Sequence, residues 1–181
     1  MADPLDPTVQ RVVEAAARKG VELRITLLAE TSHTAEDAAR ALGVELGQIV
    51  KSLVFVAPGV DDRPQPILCL VAGTNRVDLA RLAAVTGQPA VRQASAREAR
   101  ELSGFAIGGI PPIGHPGPVR AVMDPDLDRY ALVWAAAGLD RAVFPVPPAT
   151  LRALANALVA PFAVPLPTDV PGEAGAGGAA E

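Results

Sequence analysis

Between Ile49 and Ala72 the chain carries two apolar stretches separated by a segment built to turn. The first, Ile49-Val50-Lys51-Ser52-Leu53-Val54-Phe55-Val56-Ala57, is rich in the β-branched and aromatic residues that suit a pleated strand. The second runs from Ile67 to Ala72. Pro58-Gly59-Val60-Asp61-Asp62-Arg63-Pro64 lies between them, and Pro and Gly at such density punctuate the chain. The arrangement predicts an antiparallel hairpin with a long loop.

Helices and further strands are expected on either side. Pro7 suits a first helical turn, Val9, Val12, Val13 and Ala16 follow at helical spacing, and Gly20 marks a stop. Val21 to Leu28 reads as a strand. Thr34 is placed to cap a helix from Ala35 to Leu42, with Asp37 at the capping-box position and Gly43 beyond the end. Gly73 to Arg76 reads as a loop, and Asp78 as the cap of a helix from Leu79 to Val85. Val91 begins a short strand, Ala94 to Leu102 forms a helix, and Gly104 to Gly117 is a loop. Val119–Met123, Ala131–Ala135 and Ala142–Val146 read as strands, before a closing helix from Ala149 to Leu158. The elements alternate without a strict βαβ rhythm. That predicts a single α/β (α+β) domain with a mixed, mostly antiparallel sheet or open barrel and flanking helices, not a Rossmann fold.

The chain has 181 residues, which suits one domain, since domains typically take ~100–200 residues. The domain is expected over 7–163, after a flexible N-terminus (1–6). A disordered Pro/Gly/Ala-rich tail (164–181) should follow, because it cannot bury enough surface to offset its ordering entropy. Aromatic residues make up 3% of the chain. Ala, Val and Leu must therefore do most of the packing, helped by Phe55, Phe105, Trp134, Phe144 and Phe162. The single cysteine, Cys69, excludes an internal disulfide and sits in an apolar run as a small buried hydrophobe. The acidic, Pro-rich start resembles no secretory signal. No apolar run approaches the ~18 residues of a membrane span. A cytoplasmic protein without membrane partners is expected. A net charge of −4 argues against a DNA-coating basic face. It leaves room for one small cationic mouth.

Several chemistries lack their residues. Two histidines and one cysteine, with no His-Glu-x-x-His or Cys-x-x-Cys pair, make the usual zinc ligand sets untenable. There is no P-loop and no Gly-x-Ser-x-Gly elbow. Two features remain. Lys51 opens an otherwise apolar strand, although lysine is almost never buried unless paired. It reads either as a snorkelling strand end or as a functional group. The loop Ile107-Gly108-Gly109-Ile110-Pro111-Pro112-Ile113-Gly114-His115-Pro116-Gly117 is long, apolar and stiffened by proline. Its glycines allow close backbone approach, so consecutive N–H groups could bind an oxyanion. His115 reads equally as a ligand contact or a loop residue.

Four segments together resemble the YbaK/prolyl-tRNA-synthetase editing-domain family: His33 to Ala39 followed by Gly43, Gln48 to Phe55, Val77 to Leu82, and Gly108 to Gly114. The resemblance spans roughly Val9 to Phe162. It implies a YbaK-like fold and a freestanding aminoacyl-tRNA deacylase that acts in trans on mischarged tRNA, with tRNA(Pro) foremost. A synthetase pocket rejects a slightly smaller side chain by only ~1–3 kcal/mol, so a second site removes the errors. The resemblance implies no metal or other cofactor and no protein general base; the tRNA's ribose hydroxyl helps to position or activate water. It assigns Lys51 to the site's shape and to the phosphate or ribose end. It assigns Gly114, with Pro112 setting the turn, to oxyanion donation. His33, Thr74, Asn75, Gly108, Gly109, Ile113 and His115 match substrate-binding positions. His115 and Pro111 depart from the residues frequent in the family and should shape which aminoacyl group fits. The partners implied are the aminoacyl-tRNA acceptor end and a prolyl-tRNA synthetase; monomer and homodimer stay open. Two rivals remain: a catalytically silent tRNA- or synthetase-binding module of the same fold, and an unrelated small-molecule pocket protein.

Overall fold

The computed structural model describes residues 5–167. The expected hairpin is its centre. β2 (Val50–Ala57) and β3 (Gln65–Ala72) pair antiparallel over their full length, with Lys51 opposite Val71 and Phe55 opposite Ile67. β5 (Arg92–Gln93) pairs antiparallel with the far end of β2, at Phe55 and Val56. On the other side of β3, β6 (Arg120–Met123) and then β9 (Leu158–Val159) run parallel. The order is therefore β5-β2-β3-β6-β9, a mixed open sheet and not a closed barrel. A second antiparallel sheet joins β1 (Thr26–Leu27), β8 (Ala142–Val146) and β7 (Val133–Ala136) in the order β1-β8-β7. A single parallel bridge from Ile49 to Trp134 links the two sheets.

β3 shows why the hairpin is so apolar. It has neighbours on both sides and packing on both faces, so polar residues have no place from Ile67 to Ala72, where exposure is 2% or less. Leu68 and Leu70 face a large core that includes Val54, Val56, Phe105, Phe144 and Leu151. Ile67, Cys69 and Val71 face a smaller one with Phe55, Leu82 and Phe162. Cys69 is fully buried, and that burial pushes its thiol well up.

The helices pack around this frame. They are α1 (Pro7–Ala17), α2 (Ala35–Leu42), α3 (Leu79–Thr86), α4 (Ala96–Ser103) and α5 (Pro148–Ala155). The side chains of Asp6, Thr34, Asp78 and Ser95 each accept a backbone N–H from the first turn, and Gly43, Gly87 and Gly104 close α2, α3 and α4 at positive φ. Among the described residues no helix is long and apolar enough to cross a membrane.

The structure corrects several expected boundaries. Of Val21–Leu28 only Thr26–Leu27 forms a strand, where β8 offers a partner. Ala94 and Ser95 precede α4, because Ser95 is its cap. The closing helix ends at Ala155, where Asn156 turns at φ 49, and Leu158 belongs to β9. The expected loop at Gly73–Arg76 is in part β4 (Asn75–Val77), which pairs with β10 (Ala163–Pro165). β10 thus runs past the expected domain boundary at 163, and Pro165 is tolerated because this two-stranded ribbon is all edge. The rest of the expected tail, from 168 on, and residues 1–4 lie outside the described residues.

Candidate active site

A cleft of about 310 Å³ opens where the two sheets meet. The first turn of α2 brings Thr34 and Ala35 to it, β2 brings Val50 to Val54, and β7 brings Trp134 and Ala136. Ile107, Gly108 and Ile110 of the long loop form another wall, and Asp140 comes from the β7–β8 turn. Most of these side chains are apolar and small or branched. The charged groups among the lining residues are Lys51 and Asp140, with His33 beside them.

Lys51 is half-buried. Its Nζ donates to the backbone carbonyl of Asn75, tying β2 to β4. Burial pushes its ammonium below the usual lysine range, and the carboxylates of Glu36 and Asp124 pull it partly back. Asn75 is 4% exposed. Its Nδ2 donates to Asp124 Oδ2 at 2.8 Å and to Asp126 Oδ2 at 2.8 Å. Asn75 therefore braces the lysine from behind and lies outside the cleft lining. Thr74 is exposed and also outside it; its carbonyl accepts the Leu166 N–H at 2.9 Å. His33 lies exposed at the mouth, its Nε2 3.3 Å from the Thr31 hydroxyl.

The long loop divides in two. Gly108 reaches the cleft at φ +92, a conformation that favours glycine. Gly109 is needed for a different reason: a Cβ there would sit 2.8 Å from the Gly138 carbonyl oxygen and from Leu139 Cα. The loop thus packs backbone to backbone on the β7–β8 turn, which fixes Gly108 beside it. Gly109 N–H is taken by the Ala106 carbonyl at 3.1 Å.

Pro112, Ile113, Gly114 and His115 do not meet Lys51. They line a separate cavity of about 180 Å³, together with Leu68, Ala121 and Leu154. Packing is the reason. Ile110 and Ile113 are drawn into the large core, and a Cβ on Gly114 would meet Val12 Cα of α1 at 3.5 Å. Gly114 therefore lines this second cavity, and Gly108 is the loop glycine that lines the cleft. Pro111 is buried and lines neither cavity.

His115 is part of this packing. Its Nδ1 lies 3.2 Å from the Ser103 carbonyl, its ring stands edge-on to Phe105 at 5.9 Å, and its buried Nε2 has no hydrogen-bond partner among the described residues. Burial is the main force holding its basicity below the usual histidine range; the Ser103 and Pro111 carbonyls oppose it and Arg11 adds to it. The unfolded chain therefore takes up this proton at a higher pH than the folded one. His115 contributes stability above the unfolded histidine value of about 6.5, and loses it as pH falls below that. Urea midpoints should fall between pH 7.5 and 5.5 for the natural protein and fall less for His115→Gln. Equal slopes would remove His115 as the source.

Ser52 and Asp140 are not singled out by the sequence, and Trp134 is read there only as core packing. Ser52 sits beside Lys51 in the cleft wall, with a buried hydroxyl that has no hydrogen-bond partner among the described residues. Its only signal in the sequence was a polar residue in an apolar strand. Asp140 had no signal beyond a turn between two strands.

Comparison with known proteins points to one family. A family model described as the aminoacyl-tRNA editing domain matches residues 29–154, which include every cleft element from α2 to the β7–β8 turn. The multifunctional Ser/Thr-tRNA deacylase ProXp-y of Escherichia coli is 31% identical over 138 residues, 75% of this chain and 81% of that protein. A proline–tRNA ligase of Stenotrophomonas maltophilia is 37% identical over 94 residues, 52% of this chain but 16% of the ligase. A solved structure described as a candidate trans-editing enzyme for prolyl tRNA synthetase superposes with a TM-score of 0.79 at 46% identity, covering 88% of this chain and 98% of that one. The family model covers well over half of the chain, so the chain belongs to the aminoacyl-tRNA editing-domain family, hydrolases that act on mischarged aminoacyl-tRNA.

Proposed function

We propose that this protein removes small, wrongly attached amino acids from tRNA(Pro), acting in trans beside a prolyl-tRNA synthetase in the cytoplasm. The observation that carries the proposal is the pairing of Lys51 and Gly108 on one narrow cleft whose other walls are mostly small or branched apolar side chains. Such a cleft admits the acceptor end's aminoacyl group and little more. Gly108 offers backbone that a carbonyl can approach closely, and a preorganised N–H there stabilises the oxyanion that forms as water adds to the ester. Lys51 supplies positive charge to the ribose or phosphate end and holds the wall's shape through Asn75. The substrate's own ribose hydroxyl positions the water, so the protein's share is orientation and electrostatics.

The test is a panel of tRNA(Pro) charged with Ala, Cys, Ser, Thr or Pro and incubated with purified protein. Hydrolysis of one or more of the small non-cognate esters is expected, with prolyl-tRNA spared. If every ester survives while the tRNA still binds, the protein is a silent binding module and the deacylase reading fails.

A further inference from the structure

Asp140 is the one carboxylate among the residues lining the cleft, and its position is well fixed. It sits on the tight β7–β8 turn, where Ala137 N–H donates to the Ala142 carbonyl at 2.8 Å and Ala142 N–H to the Leu139 carbonyl at 3.1 Å. Two outside bonds pin the turn: Ser32 Oγ donates to the Asp140 carbonyl at 2.8 Å, and Leu28 N–H to the Arg141 carbonyl at 2.8 Å. The Gly109 contact on Gly138 and Leu139 then brings the loop against it, so that a Cβ on Gly108 would lie 3.6 Å from Asp140 Cβ. Asp140 makes no ion pair among the described residues. A half-buried carboxylate with no cation, beside the backbone proposed to meet the ester, lacks a partner that the ligand can supply.

The chemistry of the ligand says which partner. An aminoacyl ester carries an α-ammonium group next to its carbonyl, whatever its side chain. Bringing that cation among Ile107, Ile110, Ala136 and Val143 without a counter-charge costs several kcal/mol. The other charged group lining the cleft, Lys51, is a cation and cannot serve. We infer that Asp140 binds the α-ammonium group of the aminoacyl ester, anchoring the carbonyl beside Gly108 and turning the side chain toward the apolar wall. This rests on the deacylase reading above. It makes Asp140 a substrate-binding residue that tells a free aminoacyl ester from one without the charge.

The experiment compares the ester hydrolysed fastest in the panel with the same ester bearing an α-hydroxyl in place of the ammonium. For alanine the probe is lactyl-tRNA. Each kcat/KM is divided by the spontaneous rate of that ester. The natural protein should favour the ammonium ester by about tenfold to a hundredfold, the range for a hydrogen bond between charged groups. Asp140→Asn should bring the ratio close to one by slowing the ammonium ester alone; Asp140→Ser is the second variant should Asn misfold. Parity in the natural protein overturns the inference, even if neither variant folds. An equal fall for both esters in a folded variant also overturns it, since a group that acts on water or shapes the turn would slow both. Neither result touches the deacylase reading, which fails only if no ester in the panel is hydrolysed.

Discussion

Replacing Lys51 with Ala is expected to lower kcat/KM for the preferred aminoacyl-tRNA about a hundredfold, the scale at which single preorganised groups act on developing negative charge. The side chain stands at a mostly apolar wall, where a charge is worth far more than in water. The same side chain also ties β2 to β4, so a structural account must be separated from a chemical one. Lys51→Met does this, because it keeps an unbranched stem and removes the ammonium. Both variants should melt within a few degrees of the natural protein, and both should lose the activity. A folded Lys51→Met protein with full activity would falsify a role for this charge.

The second large effect is on stability. Asp124 is 2% exposed and serves three donors: Ala72 N–H at 3.1 Å and Asn75 Nδ2 at 2.8 Å on Oδ2, and Asp126 N–H at 2.9 Å on Oδ1. Asp124→Ala leaves Ala72 N–H and one of the two Asn75 Nδ2 hydrogens in buried positions without their acceptor, while the other keeps Asp126 Oδ2. The cost should be about 3 kcal/mol, since each orphaned buried group costs ~1–3 kcal/mol and charged acceptors lie at the upper end. For a chain of this size that lowers Tm by roughly 10 °C. Calorimetry or a urea titration reads it directly. A loss under about 1 kcal/mol would mean that water replaces the carboxylate, and that the network is less closed than it looks. Because the carbonyl of Asn75 holds Lys51, the folded fraction of the variant should also be slower on substrate.

What could be read from the sequence follows from where local chemistry decides the outcome. The caps at Thr34 and Asp78 and the glycine stop at Gly43 are chosen by neighbours a few residues away, and they stand where the pattern placed them. The hairpin was legible because its composition and its turn agree. The short strands β4, β9 and β10 were not, since two or three residues carry no period and exist only because a distant edge is there to receive them. The loop from Gly104 to Gly117 was visible as unusual, but which of its residues face the cleft was not. An irregular backbone has no alternation to read, and the division between Gly108 and Gly114 is made by α1 and the β7–β8 turn, both remote in sequence. Asp140 is hidden for the same reason. A single aspartate in a turn is unremarkable until the fold sets it against Gly108.

The pairing of β4 with β10 bears on when the protein becomes competent during its own synthesis. β4 carries Asn75, whose carbonyl receives Lys51, but its strand partner, Ala163 to Pro165, is the last strand of the described chain to leave the ribosome. Chains fold from the N-terminus as they emerge, and contacts between remote segments wait for the later one. A nascent chain can thus build the hairpin and the helices early while the support behind its lysine is still unfinished. Maturation of the site is tied to completion of the domain, so a chain interrupted before β10 would present the cleft residues without the ribbon that steadies them.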